Sequence, residues 1–511
     1  MTATRLLATL GLVAMTACQA ALTPPPQNRP VLRSTAVLAP KPAPEPNSTP
    51  PEASYVPQQP FPRIFGDALD NGLEIDVIER HALPVIEVEL TINSGTASEG
   101  DRAGAAKVTA EWLEAGGAGR WNSRQLRETI DALGASLDIS VTRDALRLGM
   151  AVTSDRLDAA LGILSALVET PRFDRVEFDK LKQRELERVQ SLARTSGNWM
   201  AQMWLQRKLF QLPIGVHPYA SYDVLPSELE RLSPAICKDW FREFVTPRNA
   251  HLSLVGDLAS ANSRSAVERH FARWSGPEVR GFNPSVPEGL SHFEIFVVDR
   301  PSSTQSDIFL ALLGPNRREP SFPMAAIAQQ IVGGGVAGRL FLDVREKRSL
   351  AYSTGAGIQE LAAGPSVLYF AAGTQTSKTS ETVGALLEHL DRMGSGQVDQ
   401  QELELAQRFL VDSMPIRWEQ VQTLAAQLAQ LRILALPNDY YDAFRDQLMR
   451  ASVANIAEFT ARLYRRDRAV MVLAGDSKVV APELTKYATV SIVEPSQGFR
   501  LRGQLPRTAG Q

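Results

Sequence analysis

The sequence predicts an α+β fold built from two tandem homologous domains, each a largely antiparallel sheet packed against helices. The apolar stretch at residues 75–80, which ends in Glu-Arg, returns 220 residues later at 295–300, where it ends in Asp-Arg. A second apolar stretch closes with Gly256-Asp257 and returns 219 residues later, closing with Gly475-Asp476. Because both landmarks keep nearly one offset and each copy mixes strand pairs with helices, a duplicated α+β domain is expected.

Local patterns predict the elements of the first copy. Apolar and polar residues alternate over 86–93, which is the period of a half-buried strand. Asn122 and Gln125 have the spacing of a capping box, so a helix is expected to begin there and to end near Gly134. Further strands are predicted at 137–141, 145–152 and 250–255, and helices at 103–115, 154–169 and 177–192.

The second copy repeats this order. Its strands are predicted at 294–298, 307–313, 351–359, 366–372 and 470–474, and its helices at 324–332, 380–393 and 400–412. A glycine loop, Gly333-Gly334-Gly335, follows the first of these helices. The stretch 275–291 is rich in Gly and Pro and is expected to link the domains. The predicted organisation is a first domain at 63–274, this linker, a second domain at 292–497 and a tail at 498–511.

Composition and charge exclude several classes of protein. A net charge of −3 and a pI near 6.2 give no electrostatic footprint for nucleic acid. The two cysteines, Cys18 and Cys237, cannot build a disulfide framework or a Cys-type zinc site. Cys237 is expected to be a small buried apolar residue.

The N-terminal segment, 1–18, has the pattern of a lipoprotein signal peptide. Arg5 precedes an apolar run at 6–15 that is too short to span a membrane. Thr16-Ala17-Cys18 resembles a bacterial lipobox, in which the cysteine is lipidated. The Pro-rich stretch 19–62 is expected to be an extended tether, and Gln19 favours the outer membrane, facing the periplasm, over the inner one. The alternative is a soluble secreted protein cleaved after Ala20.

Short motifs occur in a fixed order along both copies. They are Leu83-Pro84-Val85, Asn93-Ser94-Gly95-Thr96, Gly104-Ala105-Ala106, Pro247-Arg248-Asn249, Gly333-Gly334-Gly335, Arg339-Leu340-Phe341 and Leu350-Ala351-Tyr352. In order and spacing they resemble the pitrilysin/insulinase/mitochondrial processing peptidase superfamily of inverted zincins. The resemblance covers residues 63–495, nearly the whole chain after the tether.

The resemblance also shows that the zinc motif is degenerate. Catalytic members carry His-x-x-Glu-His on the first helix, where two histidines bind zinc and the glutamate activates water. Here Lys107 stands at the first histidine, Ala110 at the glutamate and Glu111 at the second histidine, while the distal glutamate ligand corresponds to Glu185. A protonated lysine repels a metal cation, so no zinc is expected in this chain. The ordinary expectation for Glu111, Glu114 and Glu185 is solvated helix surface.

The six histidines offer no substitute for that motif, because no two of them lie three or four residues apart. Glu388-His389 has the order of half a motif, but Ala385 occupies the place of the other histidine. The surrounding helix is amphipathic, so His389 is expected on the surface.

An Arg-x6-Tyr pattern is present in the second copy as Arg345 and Tyr352. In the superfamily such a pair reaches the zinc-bound substrate, holds its backbone and stabilises the developing oxyanion. The resemblance implies the same roles here. The alternative is an arginine near a helix end and a tyrosine at a strand start, each satisfied locally.

The resemblance therefore implies the zinc-free subunit of a heterodimeric zinc peptidase. Its partner would be a homologous subunit with an intact His-x-x-Glu-His motif and the zinc ion, and unfolded peptides would bind by strand addition to a sheet edge. One alternative is a non-enzymatic envelope scaffold or peptide-binding lipoprotein of the same fold. The other is a lone active metallopeptidase, which the residues at the motif positions disfavour.

Overall fold

The structure is a computed structural model that describes residues 59–210, 217–281, 284–287 and 289–508. The described residues all belong to one compact unit. Cys18, the signal-peptide pattern and nearly all of the Pro-rich stretch lie outside the described residues.

The first copy alternates strands and helices along the chain. Its strands are β1 (Phe65–Ala68), β2 (Glu74–Glu79), β3 (Val85–Ile92), β4 (Ser136–Val141), β5 (Leu146–Thr153) and β6 (Ala250–Gly256). Its helices are α1 (Ala105–Gly116), α2 (Ser123–Ala132), α3 (Leu157–Glu169), α4 (Arg175–Thr195), α5 (Gly197–Leu209), α6 (Pro226–Arg231), α7 (Pro234–Phe244) and α8 (Ser260–Phe271). The predicted capping box at Asn122 and Gln125 is present at the start of α2.

The second copy follows the same sequence of elements. Its strands are β7 (Glu294–Asp299), β8 (Gln305–Gly314), β9 (Ala351–Gln359), β10 (Ser366–Gln375), β11 (Ala469–Gly475), β12 (Val490–Glu494) and β13 (Arg500–Leu505). Its helices are α9 (Phe322–Gly333), α10 (Thr379–Gly394), α11 (Gln400–Glu419), α12 (Val421–Ile433), α13 (Tyr440–Arg450), α14 (Val453–Leu463) and α15 (Ser477–Leu484). A π-helical segment, Leu340–Lys347, lies where the first copy has α2.

Five strands follow the same order in both sheets, and the second sheet has one strand more than the first. The first is β1-β2-β6-β3-β5-β4, and the second is β13-β12-β7-β11-β8-β10-β9. Among the described strands, only the pairs β2/β6, β7/β11 and β7/β12 are parallel, and the remaining pairs are antiparallel. The predicted α+β class with two largely antiparallel sheets is therefore confirmed. The last strand, β13, lies in the stretch that the sequence assigned to a tail. It belongs to the second sheet, because it pairs with β12 and because Arg502 binds Asp299 at 2.9 Å.

Each copy contributes one helix to the sheet of the other. Helix α5 packs against β8 and β11, and α12 packs against β3 and β6. The polar side of β3 is consequently covered instead of facing water, and Glu87 and Glu89 are buried. Arg147 neutralises Glu89 through a hydrogen bond of 2.6 Å. On β2, which β6 separates from β3, Asp76 binds Arg432 of α12 at 2.6 Å and ties the two copies together.

Candidate functional site

The start of α1 is fixed by a buried carboxylate. Glu99 accepts hydrogen bonds from the backbone N–H groups of Gly104, at 2.9 Å, and Ala106, at 2.8 Å. These are donors that an isolated helix end leaves unsatisfied. Burial raises the pKa of Glu99 to about 8, although the two backbone hydrogen bonds act in the opposite direction. These hydrogen bonds fix the N-terminus of α1, which packs against the neighbouring helix α4.

Glu185, the counterpart of the distal zinc ligand, is enclosed by two cations. Lys107 Nζ lies 2.8 Å from its Oε1 atom, and Arg188 donates to both carboxylate oxygens at 2.7 Å. The residue is 3% exposed, so the expectation that it lies on a solvated surface is wrong. A carboxylate can be buried here because these cations compensate its lost hydration.

Glu111, at the second histidine position, also forms an ion pair that joins α1 to α4. Glu111 Oε2 accepts a hydrogen bond of 2.7 Å from Arg184 Nη2. Ala110, at the position of the catalytic glutamate, is buried, whereas Glu114 is exposed as expected. Both positions that the resemblance assigns to zinc-binding histidines thus carry charges that are paired with α4.

A zinc ion does not fit this set of side chains. The protonated amine of Lys107 forms an ion pair with Glu185, the carboxylate that would bind the metal. Neither Ala110 nor Glu111 supplies an imidazole. Within the described ranges, no group of three or more His, Cys, Asp or Glu side chains is arranged to hold a metal ion.

Arg345 projects from the π-helical segment of the second copy. Its side chain is 47% exposed and lies over the ring of Phe341, with the guanidinium carbon 4.8 Å from the ring centroid. Its closest acidic neighbour is Glu346, at 3.8 Å. Neither contact consumes the donors of the guanidinium, which is open to a further partner.

Tyr352 is the second residue of β9, the edge strand of the second sheet. It is 53% exposed, and its hydroxyl lies 3.4 Å from Oε1 of Gln305. The ring lies against Gly373, where an added Cβ would approach it to 2.6 Å. Partial burial raises the pKa of Tyr352, and the nearby Asp307 carboxylate raises it further. The phenol is therefore protonated and able to donate a hydrogen bond at neutral pH.

The glycine loop brings the end of α9 close to β9. A Cβ at Gly333 would lie 2.2 Å from the backbone nitrogen of Ala356, so only glycine fits this contact. Gly335 has a φ of +95°, which side chains rarely adopt. The loop thus acts through its backbone: it packs against the strand that begins next to Tyr352.

A small groove lies beside Tyr352. It has a volume of about 180 Å³ and is lined by side chains of the first and second copies, including Asn198, Asp307 and Ser353. Arg300 lies 3.6 Å from the carboxylate of Asp307 at its edge. The groove is small, and its lining combines these polar side chains with apolar ones such as Phe309.

His389 is a site residue whose position the sequence did not predict. It is 1% exposed, and its Nε2 atom lies 2.9 Å from Oδ2 of Asp343 in the π-helical segment. The expectation of a surface histidine is therefore wrong, because Asp343 supplies the hydrogen bond that a buried imidazole requires. Arg188, three residues after Glu185, was also missed, although i, i+3 spacing on a helix is a usable signal.

The structure separates the predicted residues into two groups. Lys107, Glu111 and Glu185 meet on α1 and α4, whereas Arg345 and Tyr352 lie on the π-helical segment and β9. Among the described residues, no hydrogen bond or ion pair joins one group to the other. The fold and these residues together define a duplicated α+β protein whose described part contains no metal site at the motif positions.

Comparison with known proteins identifies the family. The model of the insulinase family (peptidase M16) matches residues 77–212, and that of the peptidase M16 inactive domain matches residues 231–410. The chain belongs to the insulinase family, peptidase M16, and is an inactive homologue of its peptidases.

Individual relatives cover most of the chain at low identity. An uncharacterized zinc protease, YmxG, of Bacillus subtilis (strain 168) is 19% identical over 79% of this chain and 96% of its own length. A non-peptidase homolog, YmxG, of Helicobacter pylori (strain ATCC 700392 / 26695) is 21% identical over 76% of this chain and 89% of its own.

A solved structure shares the fold. The crystal structure of a peptidase M16 inactive domain from Pseudomonas fluorescens has a TM-score of 0.74 at 22% identity, and covers 81% of this chain and 98% of that one. In the part of this chain that the structure describes, every helix is too short or too polar to cross a membrane.

Proposed function

We propose that this chain is the non-catalytic subunit of a heterodimeric zinc peptidase and that it contributes Arg345 and Tyr352 to the partner's active site. One contrast carries the proposal. The positions of the zinc motif are occupied by paired charges, whereas Arg345 and Tyr352 are exposed and make only weak contacts of their own. Groups with a purely local structural role are more often buried or fully paired.

The chemistry of the two side chains suits a reacting peptide bond. Zinc in the partner would polarise the scissile carbonyl and lower the pKa of its bound water. The Arg345 guanidinium supplies a fixed positive charge, and the Tyr352 phenol supplies a neutral donor. Donors of this kind stabilise the oxyanion that forms as water attacks the carbonyl.

The substrate in this proposal is an extended, unfolded polypeptide. β9 pairs with β10 on one side only, which leaves its other edge available for strand addition. Small residues along β9, such as Ser353, Gly355 and Gly357, present little steric hindrance to an added backbone. The groove at Asp307 and Asn198 would then receive a side chain next to Tyr352.

The proposal also includes the location and domain organisation of the protein. Lipidation of Cys18 would anchor the chain at the outer membrane, facing the periplasm, and the Pro-rich tether would hold the two-copy body away from it. The body would comprise a first domain at 63–274, a linker at 275–291 and a second domain that continues from 292 through β13.

The decisive experiment is reconstitution. The chain is mixed with a homologous two-domain subunit that has an intact His-x-x-Glu-His motif, and hydrolysis of a fluorogenic unfolded peptide is followed. Activity that needs both chains, and that Arg345→Ala or Tyr352→Phe removes without preventing assembly, supports the proposal. A complex that cleaves equally well with either variant would instead assign the chain to the scaffold alternative.

A further inference from the structure

The segment that carries Arg345 is wound differently from its counterpart in the first copy. There, α2 is a regular α-helix with a capping box. In the second copy Leu340–Lys347 is π-helical, and the N–H of Arg348 donates to the carbonyl of Asp343, five residues earlier, at 2.9 Å. Isolated π-helical turns are wider than α-helical ones and occur frequently at functional sites. The change from an α-helix to a π-helix is thus found in the copy that carries Arg345.

Asp343 is the centre of a side-chain network within this turn. Its Oδ2 atom lies 2.9 Å from Nε2 of His389 and 3.0 Å from Nη2 of Arg348. Arg348 in turn donates to Glu388 at 2.6 Å. Burial alone would raise the pKa of Asp343, but the hydrogen bonds from His389 and Arg348 hold it below its ordinary value. Two consecutive residues of α10 therefore hold both ends of the turn.

His389 lies on the buried face of α10, between Leu386 and Leu390 in sequence. The buried stripes of α3 and α10 align with Leu164 at Leu386 and Val168 at Leu390. In this alignment Leu167 corresponds to His389. Burial lowers the pKa of His389, so the ring is neutral at neutral pH and donates through Nε2. The second copy thus has a buried hydrogen-bond donor where the first has a leucine.

The far end of the segment is also restrained. Lys378 Nζ donates to the carbonyl of Ser349 at 2.7 Å, and Thr374 Oγ1 donates to that of Leu350 at 2.6 Å. Ser349 itself has a φ of +50°. Arg345 has no comparable restraint on its side chain, so the direction in which it points depends on the turn beneath it.

We propose that His389 is a positioning residue, which fixes the π-helical turn through Asp343 and thereby sets the direction of Arg345 relative to Tyr352. The catalytic consequence rests on the proposed function, whereas the structural consequence applies to the chain alone. His389 touches no substrate in this scheme. It acts by restricting the backbone from which Arg345 projects.

The structural part is tested on the isolated chain by hydrogen–deuterium exchange of residues 340–352. His389→Leu introduces the residue of the first copy, and losing one buried hydrogen bond is expected to speed exchange there roughly five- to tenfold. His389→Gln keeps an N–H donor of similar reach and is expected to restore slow exchange. Asp343→Ala removes the acceptor of both His389 and Arg348 and should speed exchange at least as much as His389→Leu. It keeps the test decisive if the leucine variant folds poorly.

The matched control is His270→Leu. His270 lies 3.0 Å from Asp158 in the first copy, so this change also breaks a histidine–aspartate pair but should leave exchange at 340–352 unaltered. Unchanged exchange at 340–352 in both His389→Leu and Asp343→Ala would overturn the proposal.

The catalytic part is measured in the reconstituted complex. His389→Leu should lower kcat about tenfold and leave KM nearly unchanged, and His389→Gln should recover most of the loss. Faster exchange together with an unchanged kcat would reduce His389 to a purely structural residue and overturn the positioning role. If the wild-type complex cleaves nothing, the proposed function fails, and exchange alone decides whether His389 fixes the turn.

Discussion

The ammonium of Lys107 lies 2.8 Å from the carboxylate of Glu185, on the helix pair to which the resemblance assigns the zinc motif. Lys107 thus supplies positive charge to the carboxylate that corresponds to the distal zinc ligand. Arg188 completes the neutralisation, so Glu185 is both buried and paired. This arrangement explains how the helix pair stays packed without a metal ion.

Removal of the ammonium should destabilise the chain. In Lys107→Met, Glu185 keeps Arg188 as its remaining cation, and the expected loss is about 1–3 kcal/mol in the free energy of unfolding. Urea denaturation measures it. Lys180→Met is the control, because its pair with Glu177 on α4 is solvent-exposed and should contribute less than about 1 kcal/mol. Equal effects of the two changes would contradict a special role for Lys107.

The chain alone should bind no stoichiometric zinc and cleave no peptide. The reason is the charge at the motif positions, where Lys107 repels a cation and Glu111 is paired with Arg184. Metal analysis after dialysis, combined with a fluorogenic peptide assay, tests both statements. One zinc per chain with chelator-sensitive cleavage would show that the chain builds a metal site by other means.

Substitution of the exposed pair should lower catalysis in the reconstituted complex. Arg345→Ala or Tyr352→Phe is expected to lower kcat on the order of 10²–10³-fold, the usual effect of removing one well-placed oxyanion donor. Assembly and zinc content should not change. Arg450→Ala is a suitable control because that side chain is 81% exposed. Melting curves separate loss of catalysis from loss of fold.

Lipidation of Cys18 has a direct genetic test. Cys18→Ser should accumulate as an unprocessed precursor that incorporates no fatty-acid label, since the thiol is the acceptor of the lipid. Metabolic labelling and membrane fractionation report the result. Normal processing of the variant, together with no fatty-acid label on the wild-type chain, would favour the soluble secreted alternative, with cleavage after Ala20.

The buried face of β3 predicts a dependence of stability on pH. Burial, together with the neighbouring Glu89 carboxylate, raises the pKa of Glu87 from an ordinary 4.5 to about 7. The folded state therefore holds a proton that the unfolded state has lost between these values, and stability falls as the pH rises from about 5 to 7. Glu87→Gln should remove about 2 kcal/mol of that fall. Urea denaturation at pH 5 and pH 8 measures it, with exposed Glu128→Gln as the control.

Local signals in the sequence predicted most elements of the fold. The duplication, the capping box at Asn122 and the α+β class depend on residues close together in the chain or on a repeated pattern. The burial of Glu87, Glu185 and His389 depends instead on partners that are distant in the chain or on a helix from the other copy. Alternation on β3 resembles a half-buried strand until α12 covers its polar side.

The candidate site shows the same difference between local patterns, which the sequence reveals, and contacts between distant residues, which it does not. Arg345 and Tyr352 could be identified because they match the Arg-x6-Tyr pattern of the superfamily that the sequence resembles, and the structure adds their exposure. The ion pair of Lys107 with Glu185 joins residues on two helices, and the pairing of His389 with Asp343 joins a helix to a π-helical turn. No periodicity encodes such pairs, because each requires the tertiary packing to be known first.

The exchange of α5 and α12 between the sheets governs how the chain can be divided. Either copy expressed alone would leave its own sheet without the helix that the other copy supplies. It would also expose to solvent the helix that normally covers the other copy's sheet. Aggregation of the isolated halves is the physical outcome, and the intact chain should melt in one cooperative transition in spite of its two sheets. Co-expressed as separate polypeptides, the halves should recover solubility only together, as a non-covalent complementation pair.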